Sequence, residues 1–157
     1  METDPTRMCE LLIGLPEVRL LGVVDVVGEP MVIVVEQRTA RPQCSSCGGP
    51  ATVKERPPVS FADLPCFGRP VRMVWRKHRW ACPAATCSVG SWTGEDARIA
   101  APRMGLTDRA GRWATEQVGR HGRTVSEVAD DLACDWHTVN DAVIGYGTAA
   151  LIRRLRA

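Results

Sequence analysis

Two cysteine pairs, Cys44-Ser-Ser-Cys47 and Cys82-Pro-Ala-Ala-Thr-Cys87, constrain this 157-residue chain more than any other feature. Two thiolates two to four residues apart in a tight turn reach one tetrahedral ion at ~2.3 Å, and a second such turn closes a structural site. Gly48 follows the first pair, where a backbone folding past the second thiolate often needs a positive φ. The 34 residues between Cys47 and Cys82 suffice for a strand, a loop and a return strand that bring the two turns side by side. The spacing therefore predicts a zinc ribbon with one structural Zn2+ on Cys44, Cys47, Cys82 and Cys87. Four thiolates also suit iron, although the second spacing fits a rubredoxin-like site poorly. Two pairs of reduced, buried thiols is the reading without metal. Cys66 has no cysteine neighbour and is left out of the site, while His78 is a competing ligand.

Seven cysteines form an odd count, and no basic-then-apolar leader precedes them, so a secreted disulfide framework is not expected. The expected location is the cytoplasm. Arg19, Asp25 and Glu29 interrupt the greasiest stretch, and no run approaches the ~20 apolar residues of a membrane span. Charge is distributed unevenly. Residues 1–40 hold three Arg or Lys against seven Asp or Glu, residues 41–123 hold fourteen against six, and residues 124–157 hold three against five. A middle segment of +8 attracts polyanions even though the whole chain is only +2.

The fold class expected is α+β. A β-rich element over residues 1–40 comes first, with a short helix ended by Pro16 and a hairpin of two β-branched runs turning at Gly28-Glu29-Pro30. A zinc ribbon over 41–95 follows, with strands at Ala51–Arg56 and Val71–Ala81. Prolines at 42, 50, 57, 58, 65, 70 and 83 leave this segment too poor in aliphatic residues to bury a core of its own. An all-α, three-helix unit occupies 103–148, and residues 149–157 begin a connecting helix. In the helical unit Leu106, Ala110, Trp113, Ala114 and Val118 share one helix face, with Thr107 as N-cap.

Thr124 and Glu127 have the spacing of a capping box, opening a helix to about Leu132. After an Ala133-Cys134 turn, Asp135 caps a second helix whose Val139, Ala142 and Val143 face inward. That is helix-turn-helix spacing. It turns Trp136, His137, Thr138, Asn140 and Asp141 outward, and Asn140 has the amide geometry that pairs with adenine. The second helix is poorly basic, so the phosphate contacts are assigned to Arg72, Arg76, Lys77 and Arg79 on the ribbon and to Arg109, Arg112, Arg120 and Arg123 around the first helix. The expected partner is double-stranded DNA, with a homodimer left open. None of His78, His121 and His137 has an identifiable nucleophile or acid partner, so no catalytic residue is assigned.

Taken together, Cys44-x2-Cys47-Gly48, Asp63-Leu64-Pro65, Gly68-Arg69-Pro70-Val71, Cys82-Pro83-x3-Cys87, Glu95 and the helix-turn-helix from Thr124 resemble the amino-terminal part of the ISL-three family of insertion-sequence transposases. The resemblance runs from about Leu11 to Gly147. It implies a DNA-binding portion that recognises the element's terminal inverted repeats, with strand transfer left to a later Asp/Asp/Glu domain that binds Mg2+. The sequence ends at Ala157, so the chain is expected to be no enzyme alone and to be a truncated product or a remnant of the DNA-binding half. A free-standing transcription regulator and a zinc-ribbon protein-interaction adaptor are the alternatives. If metal is the main folding energy of residues 41–95, a chelator unfolds that whole segment and spares the later helices, as circular dichroism before and after chelation would record.

Overall fold

The computed structural model describes residues 1–155, without the side chains of Arg153 and Arg154. Helix α1 (Pro5–Ile13) starts at Pro5 because the Asp4 carboxylate accepts from the backbone N–H groups of Thr6 (2.8 Å) and Arg7 (3.3 Å). It stops at Gly14, whose φ of 65° lets its N–H return to the Glu10 carbonyl. Strands β1 (Val18–Val24) and β2 (Met31–Gln37) form the expected hairpin, antiparallel from Val18↔Gln37 to Val24↔Val32.

Strands β3 (Thr52–Glu55), β4 (Pro58–Cys66), β5 (Arg69–Arg76), β6 (Arg79–Ala81) and β7 (Ser91–Thr93) follow. They sort into two sheets. The larger has the order β1-β2-β5-β4, and the smaller the order β3-β6-β7. β2 pairs parallel with β5, so one sheet crosses the boundary expected at residue 40. The single strand predicted over Val71–Ala81 is divided. Lys77 turns its N–H to the carbonyls of Pro57 and Trp75, and β5 and β6 on either side of it join different sheets. β4 was not foreseen because Pro58, Pro65 and the Phe67-Gly68 step suggest a loop. β4 is an edge strand, where a missing N–H is tolerated. Phe67 and Gly68 make a two-residue turn with φ of 52° and 74°.

The alternating face of β5 is the main correction to the sequence reading. Val71, Met73 and Trp75 are buried beside Phe61 of β4, Val35 of β2 and Ile99 in one hydrophobic core. Residues 41–95 therefore do bury a core, with the N-terminal hairpin as its other half.

A second core belongs to helices α2 (Asp108–His121), α3 (Val125–Asp131) and α4 (Trp136–Leu155). Thr107 caps α2 at the Ala110 N–H, and the Thr124–Glu127 capping box forms in both directions at α3. Leu106, Ala110, Ala114, Val128, Leu132 and Val139 are all fully buried. Gly111 admits the Tyr146 ring, since a β-carbon there would lie 2.3 Å from it. Tyr146 in turn donates to Asp108 Oδ1 at 3.0 Å. Residues 149–155 continue α4 without a break, and the last two residues of the expected connecting helix lie outside the described residues.

The sheet and the helices are joined through β4. Ala62 donates to the Gly105 carbonyl and accepts from the Thr107 N–H, at 2.9 and 3.1 Å. Next to it Asp63 has 0% exposure. Its carboxylate accepts from the Thr107 hydroxyl at 2.6 Å and from the Arg109 guanidinium through Nε (2.8 Å) and Nη2. Arg109 Nη1 also donates to the Ile13 carbonyl at the end of α1. Removing one partner of a buried ion pair leaves the other uncompensated, which typically costs about 3–5 kcal/mol. Asp63→Ala is expected to destabilise the fold by about 3 kcal/mol in urea titrations; a loss under about 1 kcal/mol would show that the pair does not bind the two cores together.

Candidate metal centre and nucleic-acid interface

The backbone forms both cysteine turns before any ion is considered. At the first, the Gly48 N–H bonds to the Cys44 carbonyl (2.9 Å) and the Cys44 N–H to the Gly49 carbonyl (2.8 Å), with Gly48 at φ 70°. At the second, the Cys87 N–H bonds to the Ala84 carbonyl (3.0 Å) and the Cys82 N–H to the Gly90 carbonyl (3.3 Å). Antiparallel pairing of β3 with β6 brings the two turns together. The sulfurs of Cys44, Cys47, Cys82 and Cys87 lie within 4.8 Å of one another, with Cys44–Cys87 at 3.6 Å and Cys47–Cys82 at 3.5 Å. None is in a disulfide.

The donor set fits a tetrahedral Zn2+. With Zn–S bonds of ~2.3 Å, tetrahedral sulfurs are roughly 3.8 Å apart, close to what the two short pairs show. The electrostatics also call for a cation. N–H groups of Cys47 and Ser46 directed at its sulfur bring the Cys44 thiol down to about 6. At Cys82 the Ala84 N–H acts in the same direction, but burial and hydrogen bonds with the other three cysteines push the thiol up to about 12. Four sulfurs this close ionise together only around a positive ion. Cys66 and His78 lie outside the cluster. His78 is buried, stacked on Trp80 at 4.9 Å, with Nε2 3.4 Å from Glu36 Oε1.

The helix-turn-helix is set by its caps. Ala133 takes φ 47° in the turn, its N–H bonds to Asp130, and the Cys134 N–H bonds to Ala129. Asp135 then opens α4 by accepting the His137 N–H at 2.8 Å. Trp136, His137 and Asp141 are exposed and Asn140 is half-buried. Thr138 departs from the expected outward set, because its methyl packs against Gly105 so closely that a β-carbon there would lie 2.8 Å away.

The basic residues divide by their partners. Arg109 is held by Asp63, and Lys77 is buried with Nζ 2.6 Å from Glu95 and 4.6 Å above the Trp75 ring. Both are engaged within the fold, with the Lys77 side chain 11% and the Arg109 side chain 26% exposed. Arg72 donates to the Ala133 carbonyl, tying β5 to the helix-turn-helix turn. Arg79, Arg112, Arg120 and Arg123 are exposed or half-buried, paired with Glu55, Asp108, Glu116 and Asp131 at 2.7–2.9 Å. Arg76 is exposed and, among the described residues, makes no ion pair. So are Arg41, Lys54 and Arg103, which the sequence reading missed because pairing is invisible in a count of charges.

The four-stranded sheet has a core of its own, whereas β3, β6 and β7 are short and bury only Trp80. The expectation for chelation is therefore narrower than the sequence suggested. Hydrogen exchange after chelation should show lost protection at Val53, Trp80 and Trp92, with Met73, Val74 and the helices unchanged. Protection retained across β6, or lost across β5, would contradict this division.

Comparison with known proteins agrees with this geometry. Residues 40–87 match the family model for the zinc-finger of transposase IS204/IS1001/IS1096/IS1165. Residues 95–146 match the model for the helix-turn-helix domain of transposase family ISL3. No curated protein and no solved structure matches the chain. No helix among the described residues is long and apolar enough to cross a membrane. The two family matches fall in chain order on the thiolate cluster and on the capped helices, and the chain carries the zinc-finger and helix-turn-helix domains of the ISL3 transposase family.

Proposed function

We propose that this chain is the DNA-reading part of a transposase that recognises the terminal inverted repeats of its element, and that its residues bind DNA and do not cut it. The observation that carries this reading is the exposed amino-terminal half of α4. It is presented by two capped helices and a tight turn, and it is free of the ion pairs that occupy most of the neighbouring arginines. A recognition helix enters the major groove with its first residues on base edges, and here those are Trp136, His137 and Asn140.

Phosphate attraction is supplied first by Arg41, Lys54, Arg76 and Arg103, which have no carboxylate to release. Arg79, Arg112, Arg120 and Arg123 become contacts only by exchanging a carboxylate for a phosphate, and Arg72 by leaving the Ala133 carbonyl. A homodimer suits a pair of inverted repeats, and the exposed Leu151, Ile152 and Leu155 at the far end of α4 offer an apolar surface for it. The proposed setting is the bacterial cytoplasm, on the nucleoid.

Selection of bound duplexes from a random pool by the zinc-loaded chain tests this reading. A discrete consensus is expected, with affinity falling steeply as salt rises because phosphate contacts release counterions. Asn140→Ala is expected to weaken binding to the selected duplex by about tenfold or more while leaving binding to random duplex unchanged. No consensus and a flat salt response would reject the reading.

A further inference from the structure

The outward face of α4 carries Trp136, Asn140 and Ile144 at four-residue steps, one above the other on the helix, with His137 and Asp141 beside them. Trp136 is 49% exposed and Ile144 59%, two large apolar groups open to water on a helix whose inner face is fully covered. The Trp136 ring stacks on His137, with centroids 3.9 Å apart and planes at 29°, so the indole is held against the first turn. The Asn140 amide has no hydrogen-bond partner among the described residues. No Arg or Lys lies on this face between Trp136 and Ile144.

Base edges in the major groove separate the alternatives. Guanine presents two acceptors, best met by the donors of Arg or Lys; adenine presents an acceptor and a donor, met by an Asn amide; thymine presents a methyl group, met by an apolar side chain. This face has nothing cationic for guanine, one amide for adenine and two apolar groups for thymine. Two groups favour a G·C pair, Asp141 by accepting from a cytosine amine and His137 by donating a ring N–H to guanine; the first is repelled by phosphate and the second is stacked against Trp136. Eight residues of helix advance about 12 Å, which against a rise of about 3.4 Å per base pair spans three to four base pairs.

Building on the DNA-binding reading above, we infer that α4 reads a short run of A·T pairs, with thymine methyl groups against Trp136 and Ile144 and an adenine on Asn140. Ile144 is thereby a specificity residue, and His137, besides facing the groove, holds the indole. Sequence reading limited to the first turn and a half of the helix stops short of Ile144. Its signal was the eight-residue separation from Trp136.

The test uses the zinc-loaded chain and the duplex it selects, with thymines replaced one at a time by deoxyuridine and adenines by 7-deazaadenine. At one or two positions the loss of a methyl should weaken binding about fourfold, the worth of one buried methyl group. Trp136→Ala or Ile144→Ala should be indifferent to deoxyuridine at the position each contacts. Asn140→Ala should likewise ignore the 7-deaza substitution, which weakens the unaltered chain about tenfold. Circular dichroism confirms that these exposed-face variants fold. A selected duplex with a G·C core, or one equally well bound with every thymine replaced, overturns this inference and leaves the DNA-binding reading standing. Failure to select any duplex overturns both.

Discussion

The buried carboxylate of Asp63 is the contact on which the arrangement of this molecule depends. A charge with no exposure survives only when it is fully paired, and its partners both come from the start of α2. Thr107 is the N-cap of α2, and its hydroxyl both donates to Asp63 and accepts from the Ala110 N–H. Arg109 in the first turn of α2 grips the same carboxylate and extends to the end of α1. The start of α2 is therefore fixed on the edge strand of the sheet. The missing side chain of Gly111 then lets α2 take the Tyr146 ring of α4 at close range. By this sequence of contacts a sheet with its own core sets the direction in which α4 points.

The metal has a more local part. It closes two turns whose backbone hydrogen bonds already shape them, and it stabilises a three-stranded sheet of short strands. This small sheet connects to the larger one through side chains at the β5–β6 junction. Lys77 bridges to Glu95 beyond β7, and His78 lies against Glu36 of β2, which Arg19 and Arg56 also hold at 2.5 Å. Burial pushes the His78 imidazole below its usual value even with Glu36 beside it, so at neutral pH the histidine is an uncharged packing group.

Features encoded by local spacing were legible in the sequence. Two thiolate turns, a capping box and an N-cap depend on residues a few positions apart, and each formed where it was expected. The N-terminal hairpin followed from its alternating β-branched runs. Features that depend on distant pairing were not legible. The parallel joining of β2 to β5 carries no local signal, and without it Met73 and Trp75 lie on a predicted strand with no sheet or core to join. The same blindness affected the arginines. Arg109 and Lys77 look like any other basic residue until Asp63 and Glu95 are placed beside them, whereas Arg41, Lys54 and Arg103 are notable only for making no ion pair among the described residues.

In the proposed reading, sequence recognition is concentrated in one short surface, the first half of α4, and phosphate attraction is spread over scattered cations that make no ion pair among the described residues. A titration of the isotope-labelled, zinc-loaded chain with its selected duplex, followed by backbone amide resonances, tests that division most directly. The account predicts the largest shifts at residues 135–144, smaller ones near Arg41, Lys54, Arg76 and Arg103, and little change in the core strand β5 at Met73 and Val74. Shifts confined to the cysteine turns, with α4 silent, would contradict it.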